Sequence, residues 1–279
     1  MHRTCGFSSM ARSRYCSRAR DDSLRAVPGG AGAARVTPQS VELSGWTGFV
    51  TVPAPDPHRV RAASIDQLRR LGLPQPPPTF PLVWEPGDTV ELRPTGELEG
   101  RTAILNVVLA RCFGMPSEAA MAWLLEAHLL ETLTKPEWSF VASGEGDQRS
   151  FALHLEAIYA LAWLLGLVPH LDPTEPAPDG LVAQLPHLPT KEPFMTWRTR
   201  VLPNPRPAPE AAIVLDLFYC LDWAYLEAER RRIRLPGLID SNAIGQRRWA
   251  LEWAVIMRGP YQAPPCGWEE VDLSVDLSA

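Results

Sequence analysis

The sequence predicts an all-α protein, a single multi-helix bundle with long proline-rich loops and a disordered basic N-terminal arm. Three observations carry that expectation. After residue 97, apolar residues recur at spacings of three and four, the period of a helix with one buried face. The 29 prolines, roughly twice the average frequency, fall between those apolar runs and punctuate the chain. Hydrophobic residues make up 46% and charged residues 21% of the 279, which is enough apolar material for a core.

Residues 1–40 are rich in Arg, Ser, Gly and Ala and show neither a period of 2 nor of 3.6, so they are read as the arm. Residues 41–96 are read as an extended, proline-rich segment holding one short helix. In it, VELSGWTGFVTVP (41–53) supports one marginal strand. SIDQLRRLGL (64–73) reads as the helix, with Ser64 as N-cap and Gly72 just past its end. PQPPPTFPLVWEPGD, which follows, is too proline-rich for regular structure.

The bundle itself is placed at 97–279. ELEGRTAILNVVLARCFG puts Ile104, Val108 and Cys112 on one stripe with Leu105 and Leu109 beside it, and stops at Gly114. PSEAAMAWLLEAHLLETL restarts with Ser117 as N-cap and carries Met121, Leu124, Leu125, His128 and Leu129 at helical spacing. TKPE (134–137) has the spacing of a capping box and opens a short helix. DQRSFALHLEAIYALAWLLGLVP (147–169) is apolar nearly all round in its second half, which predicts a central helix. Residues 169–209 read as a long proline-broken loop that covers the bundle. PEAAIVLDLFYCLDWAYLEAERRR (209–232) brings Ile213, Leu217, Leu221 and Ala224 into register. DSNAIGQRRWALEWAVI (240–256) has Asp240 as N-cap and turns Ile244, Leu251 and Val255 inward, and GWEEVDLSVDLSA closes the chain as an irregular tail.

The net charge of −5 is unevenly spread. Residues 1–35 hold seven arginines against Asp21 and Asp22, so the remainder carries −10. An acidic body argues against nucleic acid as the main partner, because phosphates need a cationic surface. The five cysteines are scattered, with no CxxC or Cys/His ligand spacing, and predict free thiols in a reducing cytoplasm. No apolar core follows the basic start, and the longest apolar run, AIYALAWLLGLV (157–168), is too short to span a bilayer, so no membrane partner is expected.

Motifs that carry chemistry are sparse. Dimetal bundles use Glu-x-x-His; here Glu126 precedes His128 by two, and His154 and Glu156 fall about 200° apart on a helix. No metal site is therefore expected, and both histidines read as partly buried residues satisfied by neighbours. Neither a GxSxG elbow nor a phosphate-binding glycine loop is present, so no catalytic residue and no cofactor is assigned. The candidate binding residues lie in ERRRIRLPGLIDSNAIGQRRWALEWAV (229–255): Arg231, Arg247, Arg248, Trp249 and Trp253. Arg231 can pair with Glu227 one turn back and favours a helix C-terminus. Arg247 and Arg248 lie beside Trp249 and Trp253, where a guanidinium can stack on an indole or meet a carboxylate. Structural locking is the favoured reading, and an anion or peptide-carboxylate site the alternative.

Seven stretches, in order, make the chain resemble an uncharacterised bacterial group, the domain of unknown function 4272 family. They are VRAASIDQLRRLGLP, GRTAILNVVLARCFGMP, LLETLTKPEWSFV, EAIYALAWLLGLV, VLDLFYCLDWAYLEA, QRRWALEWAV and WEEVDLS, spanning about residues 60–274. Arg247, Arg248, Trp253, Trp268 and Asp272 match the family pattern, which has an acidic residue where this chain has Gln246. The resemblance implies an α-helical intracellular domain and leaves the first 60 residues outside it; it implies no activity. With no catalytic motif and many tryptophans, the chain is expected to be a non-catalytic module that binds a protein or peptide. The alternatives are a hydrolase or transferase with a pocket under the 169–209 loop and, more weakly, anion or nucleic-acid binding through the arginine clusters.

Overall fold

A computed structural model describes residues 51–274; the chain divides into two units, 1–46 and 47–279, and the described residues all belong to the second. The arm expected over 1–40 and most of the strand expected over 41–53 lie outside the described residues. Helix α1 (Pro57–Arg70) starts well before Ser64, because Asp56 accepts from the N–H groups of His58 and Arg59 and Pro57 suits the first turn. Ser64 is not its cap: it is buried mid-helix and donates to Asp216 at 2.7 Å. Gly72, at φ 71°, ends the helix as expected.

An irregular proline-rich stretch leads to β2 (Thr89–Leu92), the middle strand of a small antiparallel sheet between β1 (Val52–Pro53) and β3 (Val255–Arg258). Val90 pairs with Val52 on one side and Met257 on the other. The fold is mostly helical, as predicted, with this sheet added. The helices are α2 (Thr95–Cys112), α3 (Ser117–Glu126), α4 (Lys135–Ser143), α5 (Gln148–Ala152), α6 (His154–Leu164), α7 (Phe194–Val201), α8 (Ala208–Arg231) and α9 (Ser241–Ala254).

α6 is the central helix: from Ala157 to Leu165 no residue is more than 4% exposed. It packs on α2 and α9, while α8 packs on α9 and α1. α2 is buried on two sides. Its Leu98, Leu105 and Leu109 join the main core of α6, α8 and α9, whereas Ile104, Val108 and Cys112 join a second core with Trp123, Phe140 and Trp197. The two stripes read in the sequence thus face two different cores.

Several boundaries differ from expectation. α3 is preceded by Pro116, and Ser117 donates its hydroxyl to the carbonyls of Val141 and Ala142 instead of capping its own helix. α3 ends at Glu126, and His128 follows in a left-handed conformation, exposed to water, so the stripe expected through His128 breaks there. The long helix expected over 147–169 is split at Leu153 into α5 and α6. On α8, Leu221 and Ala224 are buried as expected, but Ile213 is 44% exposed and Leu217 only partly buried; Leu215 and Phe218 take their place, because α1 and α9 together decide which side is covered.

Val255 and Ile256 leave the expected last helix for β3, as suits β-branched residues. Residues 169–209 do form a cover, but one containing α7 and two short 3₁₀ turns. Trp197 fastens it from inside, donating to the Gln184 carbonyl at 2.7 Å. Gly166, at φ 73°, lets the returning chain approach: any Cβ there would overlap the Asn204 carbonyl. Among the described residues no helix is long and apolar enough to cross a membrane.

Candidate functional site

The five candidate residues are distributed over four places. Arg231 is exposed at the end of α8 and pairs with Glu227, as does Arg230 at 2.5 Å. Those bonds, Arg230 first, hold the Glu227 carboxyl down to about 2. Arg247 on α9 is wholly buried. It grips Glu156 of α6 through Nε (2.8 Å) and Nη2 (2.6 Å) and donates to the Asp172 and Glu175 carbonyls of the covering loop. Arg248 faces the other way, to Asp222 (2.7 Å), Glu252 (2.7 Å) and the backbone of the C-terminal segment at Asp272 and Leu273. Burial, the largest influence, raises the carboxyls of Asp222 and Glu252 even though Arg248 opposes it.

The cation–π partners differ from those the sequence put forward. Arg247 lies over Tyr159 at 4.8 Å and Arg248 over Tyr219 at 4.7 Å, not over Trp249 or Trp253. Trp249 and Trp253 instead converge on Trp268. Trp249 stacks on it at 5.3 Å with ring planes 16° apart and donates its Nε1–H to the Trp268 carbonyl, and Trp253 meets it edge-on at 5.4 Å.

Trp253 and Trp268 form one wall of a cleft of about 590 Å³ between α2, the turn from Leu129 to Thr134, the end of α9 and the segment 266–268, a size in the usual range for small-ligand sites, about 300–1,000 Å³. Two arginines build its polar side. Arg93 donates to the Trp253 carbonyl (2.6 Å), to Glu97 (3.3 Å) and to the Pro265 carbonyl, with its guanidinium 4.7 Å from the Trp253 ring. It thereby pins the C-terminal segment beside α9.

Arg101 projects from the buried face of α2, three residues after Leu98 and three before Ile104. Its Nη2 donates to Glu137 Oε1 at 2.5 Å, and Glu137 Oε2 accepts the Thr134 N–H at 2.9 Å within the capping box of α4 that TKPE anticipated. The guanidinium lies 5.0 Å from the Trp268 ring. Arg101 is only 5% exposed, and its Nε has no hydrogen-bond partner among the described residues. A buried N–H without an acceptor is uncommon and calls for an explanation.

Behind the cleft, His154 Nδ1 lies 3.0 Å from Gln246 Oε1, and the imidazole meets Phe151 and Trp249 edge-on. Burial pushes this histidine below its ordinary value against the Gln246 bond and the nearby Glu137 carboxylate, which pull it up. His154 is buried and satisfied by a neighbour, as expected; His128 is not buried. The covering loop borders two further recesses, one of about 600 Å³ where Leu188, Pro189 and Lys191 face Phe113, Met115 and Trp123, and a more open one of about 380 Å³ at Glu99, Met195 and Arg198. There burial raises the Glu99 carboxyl while Arg198, at 2.6 Å, lowers it.

Sequence reasoning singled out Trp253 and Trp249 and, through the family pattern, Trp268, but missed Arg93, Arg101 and Glu137. The available signal was Arg101 itself, a charge between apolar positions on a helix face that otherwise reads as core. No match to the chain was found among curated proteins or solved structures. A family model does match, over residues 60–271, from the first turn of α1 to the segment that carries Trp268. That span covers both arginines of the cleft, its Trp253 and Trp268 and the Trp249 stacked on Trp268, and the chain belongs to the family described as domain of unknown function (DUF4272).

Proposed function

We propose that the protein is a non-catalytic module that binds a segment of a partner protein or a peptide in the Arg101–Trp268 cleft. The observation that carries this reading is the combination of a donor lacking an acceptor, Arg101 Nε, with apolar walls from Trp253, Trp268, Ile104 and Leu133. Clusters of buried Trp and Arg are the side chains that dominate binding energy at interfaces. The cleft lining supports binding more than turnover: its charged side chains are Arg93, Glu97 and Arg101, and each arginine already holds a carboxylate. The module works in the cytoplasm on this reading, which the free thiols of Cys112, Cys220 and Cys266 favour.

Selection from a displayed library of unstructured peptides tests the proposal. Peptides are expected to be enriched, and to bind at least about tenfold more weakly to a Trp268→Ala protein in fluorescence polarisation, as truncation of a central aromatic anchor does. An empty selection, or peptides indifferent to Trp268→Ala, would overturn it.

A further inference from the structure

Resting on the cleft as a peptide site, we infer that the group seated against Arg101 is a neutral hydrogen-bond acceptor next to an apolar side chain. An internal stretch of peptide presents that pair; a free carboxylate does not. Arg101 is already matched by Glu137 at 2.5 Å, and Arg93 by Glu97 at 3.3 Å and by backbone carbonyls. No positive charge is left over in the lining. A carboxylate entering would bury an unmatched negative charge beside two indoles, which costs more than one added hydrogen bond returns. A peptide carbonyl gives Arg101 Nε its missing acceptor and adds no charge.

The remaining walls fit the rest of such an occupant. Ile104, Leu129 and Leu133 with the faces of Trp253 and Trp268 offer contact for one apolar side chain. Arg101 Nε has almost no surface of its own, and Trp268 covers the guanidinium at 5.0 Å. The occupant therefore reaches Nε by shifting the Trp268 ring, which stays in contact with it as one wall of the seat. Trp268 sits in a short 3₁₀ turn, Trp268–Glu270, outside the long helices.

The test is tryptophan-indole NMR on the full protein, with Trp253→Phe and Trp268→Phe spectra for assignment. The probes are N-acetyl-leucinamide and N-acetyl-leucine, alike except that the second carries a carboxylate. The amide is expected to move the Trp268 indole and to bind at least threefold more tightly than the acid. Arg101→Lys keeps a cation for Glu137 but removes the Nε–H, and should weaken the amide about tenfold, the loss typical of one hydrogen bond to a charged group. If Arg101→Lys does not fold, the two probes on the unaltered protein still decide. Tighter binding of the acid overturns the inference in favour of an anion seat. Silence of Trp268 with both probes overturns it as well; peptide selection, run in parallel, then shows separately whether the module binds through another face.

Discussion

At Arg247, four hydrogen bonds tie α9 to Glu156 and to the covering loop, so its charge is spent within the fold. Arg247→Ala leaves Glu156 buried without its partner and is expected to lower stability by about 3–5 kcal/mol in urea unfolding. Replacing both members together, Arg247→Met with Glu156→Leu, should cost far less, because no lone charge remains. The paired arginines were legible as locks, but not what they lock onto. Glu156 lies 91 residues from Arg247, and the expected indole partners failed for a geometric reason: adjacent residues on a helix point about 100° apart. The tyrosines beneath the guanidiniums come from α6 and α8 instead.

His154 gives a second test at this scale. Its folded pKa lies below its ordinary value of 6.5, so the unfolded chain binds the proton more readily. The contribution to stability is complete above about pH 6.5 and is lost as the pH falls through the folded pKa, at no more than about 1.4 kcal/mol per pH unit for one proton. Stability measured against pH should show this slope in the unaltered protein and lack it in His154→Asn; an unchanged slope would count against the assignment.

Among the elements, α4 shows best what local sequence can announce. Thr134 and Glu137 form the capping box that their spacing predicted, and Glu137 then serves twice by holding Arg101. Thr134→Ala should cost about 1 kcal/mol as a lost cap, and it should also weaken the cleft's peptides, since the Glu137 N–H loses its Thr134 Oγ1 acceptor and the first turn that positions the Glu137 carboxylate loosens. Thermal unfolding and a binding titration on the same sample separate the two effects. α3 was less legible because its end carries no glycine: His128 takes the left-handed position, which sequence patterns assign to Gly or Asn. The break between α5 and α6 at Leu153 has no proline or glycine to mark it either.

On the scale of the whole molecule, the helical class was readable because the 3.6-residue period extends over most of the chain. The sheet was not, since its strands are two to four residues long and β2 pairs Thr89 with Arg258 from the far end of the domain. The cleft is assembled in the same long-range way: α2 supplies Arg101, while Trp268 arrives from near the end of the described chain. A protein ending at Gly267 would lose Trp268 and the backbone acceptors of Arg248 at Asp272 and Leu273. Its melting temperature by calorimetry is expected to fall by on the order of 10 °C, from removal of one buried tryptophan and its contacts. The stacked pair Trp249 and Trp268, at 5.3 Å, has an optical consequence. Two indoles this close share their ultraviolet excitation, so the protein should show a signed exciton couplet in circular dichroism. Any occupant that swings Trp268 aside would quench the couplet, giving the cleft a built-in and label-free signal of occupancy.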